Sequence, residues 1–251
     1  MTKTELVKRY GCFGAGLIVT SYGVALTTLA RLGTSPISSI PYTLSLLVPR
    51  LTLGSWTIAF NMLLIVLQSL MQRRGLRVVD LALQIVLTFA FGFVIDSACF
   101  TLRWLHPQAY RSQLAVLLIG CFVLAFGIFF QFTGGVVMLP GDGFSRTIAR
   151  ISGKNFGSVR MICDISMAGI ALALGLIIMH RPVGIREGTL IAALLIGNIV
   201  RLYTALLRPA VEKFLPGANR ARLREQAQDL QNGPLQDRRD AKDRRDPKQP
   251  K

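Results

Sequence analysis

The sequence predicts an all-α polytopic membrane protein: six transmembrane helices forming two inverted three-helix repeats, each with a short re-entrant or interfacial helix. Three observations predict it. Of 251 residues, 51% are hydrophobic and only 17% charged, and the mean hydropathy is +0.47; such proportions suit an integral membrane protein better than a soluble domain. Six apolar runs have spanning length. A glycine-led loop after the first run returns roughly a hundred residues later, again followed by an apolar run.

The net charge of +16 raises the question of nucleic acid, but a nucleic-acid binder needs its basic residues on a soluble face beside groove-reading elements. Here they sit in short clusters between apolar segments and in a polar tail, which positive-inside topology explains without nucleic acid. The four cysteines, Cys12, Cys99, Cys121 and Cys163, lie inside apolar runs with no C-x-x-C spacing and read as buried free thiols. With only His106 and His180 besides, at segment ends, no metal site and no cofactor is expected.

Residues 1–10 carry Lys3, Lys8 and Arg9 and lead into an apolar run over 11–32. It ends in Ala30-Arg-Leu rather than a small-x-small cleavage site, so a retained helix is expected. Further spans are expected at 55–71, 79–102, 114–132, 159–179 and 189–207, each able to cross about 30 Å of hydrocarbon at 1.5 Å per residue. This gives a cytoplasmic N-terminus over 1–10, a first repeat over 11–105, a second over 114–208 and a basic, disordered cytoplasmic tail over 209–251. Lys3, Lys8, Arg9, Arg73, Arg74, Arg77, Arg146, Arg150 and Lys154 fall on one side with the basic tail; Arg31, Arg50, Arg103, Arg111, Arg181 and Arg186 fall on the other. The bias places both termini in the cytoplasm.

Within the tail, 219–231 is expected to form a short polar helix. The mixed-charge run over 237–246 cannot bury enough apolar surface to offset its ordering entropy.

The repeats align through Gly16 and Gly23 with Gly120 and Gly127, Gly54 and Asn61 with Gly157 and Asp164, and Gln84, Thr88, Gly92 and Asp96 with Thr189, Ala193, Gly197 and Arg201. A three-helix unit has an odd number of spans, so its second copy enters the bilayer from the opposite side. The loops in front of the second helix of each unit are candidate binding elements. Gly33, Ser35 and Ser38 stand in the first, with Ser35-Pro36 as a helix start. Gly141, Asp142, Gly143 and Ser145 stand in the second, with Asp142 or Ser145 as the expected cap. Two placements stay open: re-entrant, presenting free N–H groups to a polar ligand, or interfacial, closing the bundle.

Charges inside a bilayer cost about 2.5–3.5 kcal/mol each and need partners. Equivalent depth suggests that Asn61 meets Asp96 and Asp164 meets Arg201. Such pairs either lock helices together or mark a proton or cation site. Arg160 is expected at the interface, its side chain reaching towards water.

The motifs Gly33-Thr-Ser-Pro-Ile-Ser-Ser-Ile-Pro41 and Gly141-Asp-Gly-Phe-Ser-Arg146 resemble the YczE/YyaS/YitT group of bacterial integral membrane proteins over 11–207, and its shorter YczE-like branch in particular. The resemblance implies a multi-pass protein of the bacterial cytoplasmic (inner) membrane and carries over no catalytic residue. No nucleophile–base pair or phosphate-cradling loop appears, so no enzyme is expected. The leading expectation is a permease or exporter of a small polar solute, framed by the two loops with Asn61, Asp96, Asp164 and Arg201. The alternative is a non-transporting partner that regulates or scaffolds another protein. Partners are thus the lipid bilayer and a small polar solute, with a homo-oligomer or a membrane-protein partner as further options.

Overall fold

The computed structural model describes residues 3–71, 78–154, 156–180 and 186–214. Within them lie eight α-helices and no strand: α1 (Lys3–Leu29), α2 (Pro36–Leu47), α3 (Leu53–Met71), α4 (Val78–Thr101), α5 (Tyr110–Gly134), α6 (Pro140–Ser152), α7 (Phe156–Met179) and α8 (Glu187–Phe214). Six of these, all but α2 and α6, are long and apolar enough to cross a membrane. The order long, short, long, long occurs twice. The expected tail helix at 219–231 and the charged run at 237–246 lie outside the described residues, as do Arg73, Arg74, Arg77 and Arg181.

The helix limits follow local chemistry. Arg31 at φ 57° and Gly33 at φ 111° turn the chain sharply after α1; the second is a conformation that glycine adopts without a Cβ clash. Extended Ser35 then leads into Pro36 at the first position of α2, where proline's missing N–H costs nothing. The second short helix starts the same way. Its N-cap is Leu139, with Pro140 next, so the expectation of Asp142 or Ser145 as cap is corrected: proline sets the start, and both residues fall inside the helix. At the far end, α8 continues past the expected boundary at 208 to Phe214.

The centre of the bundle is the α1–α5 pair. Its seam consists of small residues that let the backbones approach closely. A Cβ on Gly23 would lie 2.5 Å from the Leu124 Cα, and one on Gly127 would lie 2.4 Å from the Thr20 nitrogen. Gln131 Nε2 donates to Thr20 Oγ1 across the seam at 2.8 Å. The glycines aligned at 16, 23, 120 and 127 are therefore packing positions.

Around this pair, α4 packs on α1 and α8 on α5, while each short helix touches both α3 and α7. One relation is unmatched. α3 packs on α4 through Gly54 and Gly92, where a Cβ on Gly54 would lie 2.1 Å from the Gly92 oxygen. Among the described residues α7 and α8 make no comparable contact, and Gly197 has nothing within 4 Å of where its Cβ would be.

Candidate functional site where the short helices meet

The N-termini of α2 and α6 come together inside the bundle. A Cβ on Gly141 would lie 2.0 Å from Ile37 Cδ1, so the tip of the Ile37 side chain occupies the space beside Gly141. Ile37, Ile40, Leu44 and Phe144 from the short helices share one apolar cluster with Phe60 and Leu64 of α3 and Met167 and Ala171 of α7. Those four stand in the middle of their helices, and α6 also packs on the first two turns of α7, where Phe144 and Ile148 join Phe156, Val159 and Cys163. The two loop motifs, a hundred residues apart in the chain, thus form one place.

On the polar side of that place, Gly143 sits against two glutamines. Its Cβ would meet Gln68 Oε1 at 2.8 Å and Gln84 Nε2 at 3.1 Å. Gln68 from α3 and Gln84 from α4 are 4% and 5% exposed, and the Oε1 of each is buried without a hydrogen-bond partner. A buried carboxamide oxygen left unpaired costs about 1–3 kcal/mol. Beside Gly143, Asp142 forms an ion pair with Arg160 of α7 at 2.5 Å. Asp164, one turn further along α7, is within electrostatic range of Arg160 and Asp142. Ser145 donates back to the Gly141 carbonyl at 3.0 Å, and Arg146 lies 5.9 Å over the Phe156 ring.

The first copy is neutral at the matching positions. Ser35 donates to Ser38 at 3.1 Å, Thr27 and Thr34 share a hydrogen bond of 3.1 Å, and Gly33 leaves room for Thr189 Oγ1, 2.3 Å from where its Cβ would be. That hydroxyl too is buried without a partner.

The expected pairings do not form. Asp96 accepts from Thr52 Oγ1 at 2.6 Å and from the Gly54 N–H at 2.7 Å, so it caps the start of α3 and leaves Asn61 alone. Asn61 is buried on α3 with no hydrogen bond to Asp96. Arg201 lies on an exposed face of α8. Asp164 has Arg160 on its own helix instead, because α8 does not lie on α7. Of the aligned residues on α4, Gly92 and Asp96 meet α3, and Gln84 meets α6.

Sequence reasoning did not find Gln68, a lone amide near the end of an apolar run, or the pairing of Arg160 with Asp142. The available signal was position: Arg160 lies four residues before Asp164 on one helical face.

A second feature lies between α3 and α7, a cavity of about 750 Å³. Each of its lining residues on α3 has an α7 counterpart 103 positions on, as Trp56 with Val159, Phe60 with Cys163 and Leu67 with Ile170; Ile40 and Leu44 of α2 match Phe144 and Ile148 of α6 at a separation of 104. The lining is apolar apart from Ser152, Lys154, Cys163 and Ser166, and does not include Asp96 or Asp164. Among the described residues no group of three or more His, Cys, Asp or Glu is placed to hold a metal ion.

Comparison with known proteins agrees with the resemblance drawn from the two loop motifs. The chain is similar to the uncharacterized membrane protein YczE of Bacillus subtilis (strain 168), at 29% identity over 200 residues covering 79% of this chain and 86% of that one. It is similar to the uncharacterized protein YyaS of the same organism, at 26% identity over 213 residues covering 84% of this chain and 98% of that one. No solved structure matches. The model of the family of unknown function DUF6198 matches residues 7–205, and this multi-pass membrane protein belongs to that family.

Proposed function

We propose that this protein is a permease or exporter of a small polar solute, which it handles where α2 and α6 meet. The observation that carries this reading is the pair of buried, unpartnered glutamines, Gln68 and Gln84, against Gly143 at the start of α6. Unpaired buried amides are costly, and their retention makes sense where a passing solute supplies the missing hydrogen bonds. The free N–H groups and partial positive charge of a helix start add a complementary pole. The Asp142–Arg160 pair and Asp164 border the place with both signs of charge.

On this reading the two copies insert in opposite senses, and α2 and α6 are re-entrant helices meeting near the midplane of a bacterial cytoplasmic membrane, with both termini in the cytoplasm. Three features support it: the repeated element order, the reciprocal seating of each short helix on α3 and α7, and a cavity lined by matched residues of both copies. No catalytic step is part of the reading.

The test is osmotic. Proteoliposomes are shocked with glycerol, urea or glycine and followed by stopped-flow light scattering. At least one solute is expected to cross faster than in protein-free liposomes, and the Gln84→Leu protein to return to background while still folded. Background rates for all three solutes in the unaltered protein would sink the proposal.

The scaffold reading is favoured by a different observation: Arg201 is exposed on α8 within its spanning segment, where lipid alone does not satisfy it, whereas nearby Asn198 donates to the Leu194 carbonyl of its own helix at 2.9 Å. A membrane partner covering that face would co-purify with the intact protein and be lost in Arg201→Leu.

A further inference from the structure

We propose that the groove between α3 and α7 binds one acyl chain of an anionic membrane lipid, with Lys154 beside the headgroup. The groove shares Ile40, Leu44, Phe60, Leu64, Phe144 and Met167 with the apolar side of the place where the short helices meet, and none of that place's polar residues.

Four features select the occupant. Apolar cavities of this kind do not hold water, and the lining offers a polar solute almost nothing to bond. The groove is open along one side, where Leu63 (53% exposed), Ile162 (55%) and Ile170 (53%) continue onto the apolar surface of the spanning helices. A chain can therefore enter sideways from the bilayer without crossing a polar barrier. The lining runs from Trp56 to Leu67 on α3 and from Val159 to Ile170 on α7. At 1.5 Å per residue each stretch is about 16 Å; α3 and α7 cross in opposite senses, so the two overlap around mid-membrane and together cover roughly two thirds of a hydrocarbon core of about 30 Å.

The charge at the end completes the match. Lys154, the one charged residue of the lining, stands with Ser152 just ahead of the first turn of α7. An ammonium group beside a helix N-terminus favours an anionic headgroup over a zwitterionic one.

Trp56 reports on the groove from within. The chain has two tryptophans, and Trp104 lies elsewhere, 72% exposed, so Trp104→Phe leaves Trp56 as the single reporter. That protein is reconstituted in dioleoylphosphatidylcholine vesicles containing rising fractions of dibrominated phosphatidylglycerol or dibrominated phosphatidylcholine, whose bromines quench tryptophan on contact. Quenching is expected to saturate, at a mole fraction about fivefold lower for the glycerol lipid, the ratio that one lysine at an anionic surface provides. Adding Lys154→Ala should bring the two curves together. Adding Ser166→Phe, or Ala59→Phe should the first fail to fold, should block the groove and reduce quenching by both lipids. Coincident curves before Lys154 is changed, or quenching unaltered by a folded blocking variant, would overturn the proposal.

Discussion

Asp96 Oδ1 accepts a 2.7 Å hydrogen bond from the Gly54 N–H, and this contact ties α4 to the first turn of α3. The other carboxylate oxygen takes the Thr52 hydroxyl at 2.6 Å. An acidic group at a helix N-terminus satisfies an orphan N–H and complements the positive end of the helix dipole. In the second copy the aligned residue is Arg201, which has no acceptor to offer the start of α7 and carries the wrong sign for it. Asp96 thus closes α3 onto α4 at this end, while α7 and α8, with Arg201 at the aligned position, make no comparable contact among the described residues.

Asp96→Ala should therefore lower stability by about 1–2 kcal/mol, as loss of a helix cap does, with Asp96→Asn losing less because its amide oxygen still accepts. Arg201→Leu, on an exposed face, should change it by no more than about 0.5 kcal/mol. Thermal unfolding in detergent gives the ranking; equal effects at 96 and 201 would refute the cap.

The α1–α5 seam predicts a sharp contrast between glycines. Gly23→Ala places a methyl 2.5 Å from the Leu124 backbone and should cost about 1–3 kcal/mol or more as the helices are forced apart. Gly197→Ala meets nothing within 4 Å and should be neutral or stabilising by up to about 1 kcal/mol, the helix-propensity difference. Melting temperatures of the two variants decide it.

Replacing Gln68 or Gln84 with leucine removes a buried amide oxygen that has no partner. Each variant should keep or raise the melting temperature, since about 1–3 kcal/mol of unpaired polarity is relieved, while solute flux falls to background. A large loss of stability in either would mean that the amides serve the fold instead.

Opposite insertion of the copies predicts opposite labelling. Arg50 follows the first short helix and Lys154 the second. In a background with the four native cysteines replaced by alanine, Arg50→Cys should react with a membrane-impermeant maleimide only from outside the cell, and Lys154→Cys only from inside. Labelling of both from one side would end the inverted-repeat reading.

Much of this was legible in the chain. Six apolar runs predict six long helices because a bilayer leaves the backbone few ways to bond itself. Ser35-Pro36 marks a helix start because proline needs no N–H partner at that position. The paired motifs at 33–41 and 141–146 point to one place and to the family.

Sequence alone determined which segments form the six long helices and where the first short one begins, because hydropathy and proline act through local chain chemistry. Partners it did not determine: Asp96 went to the Gly54 N–H and left Asn61, Arg201 faces outward, and Gln68 of α3 meets Gly143 of α6. Those outcomes depend on which helix lies against which, and hence on close packing and helix-end electrostatics summed over the whole bundle, where equal depth is a necessary condition for contact and not a sufficient one.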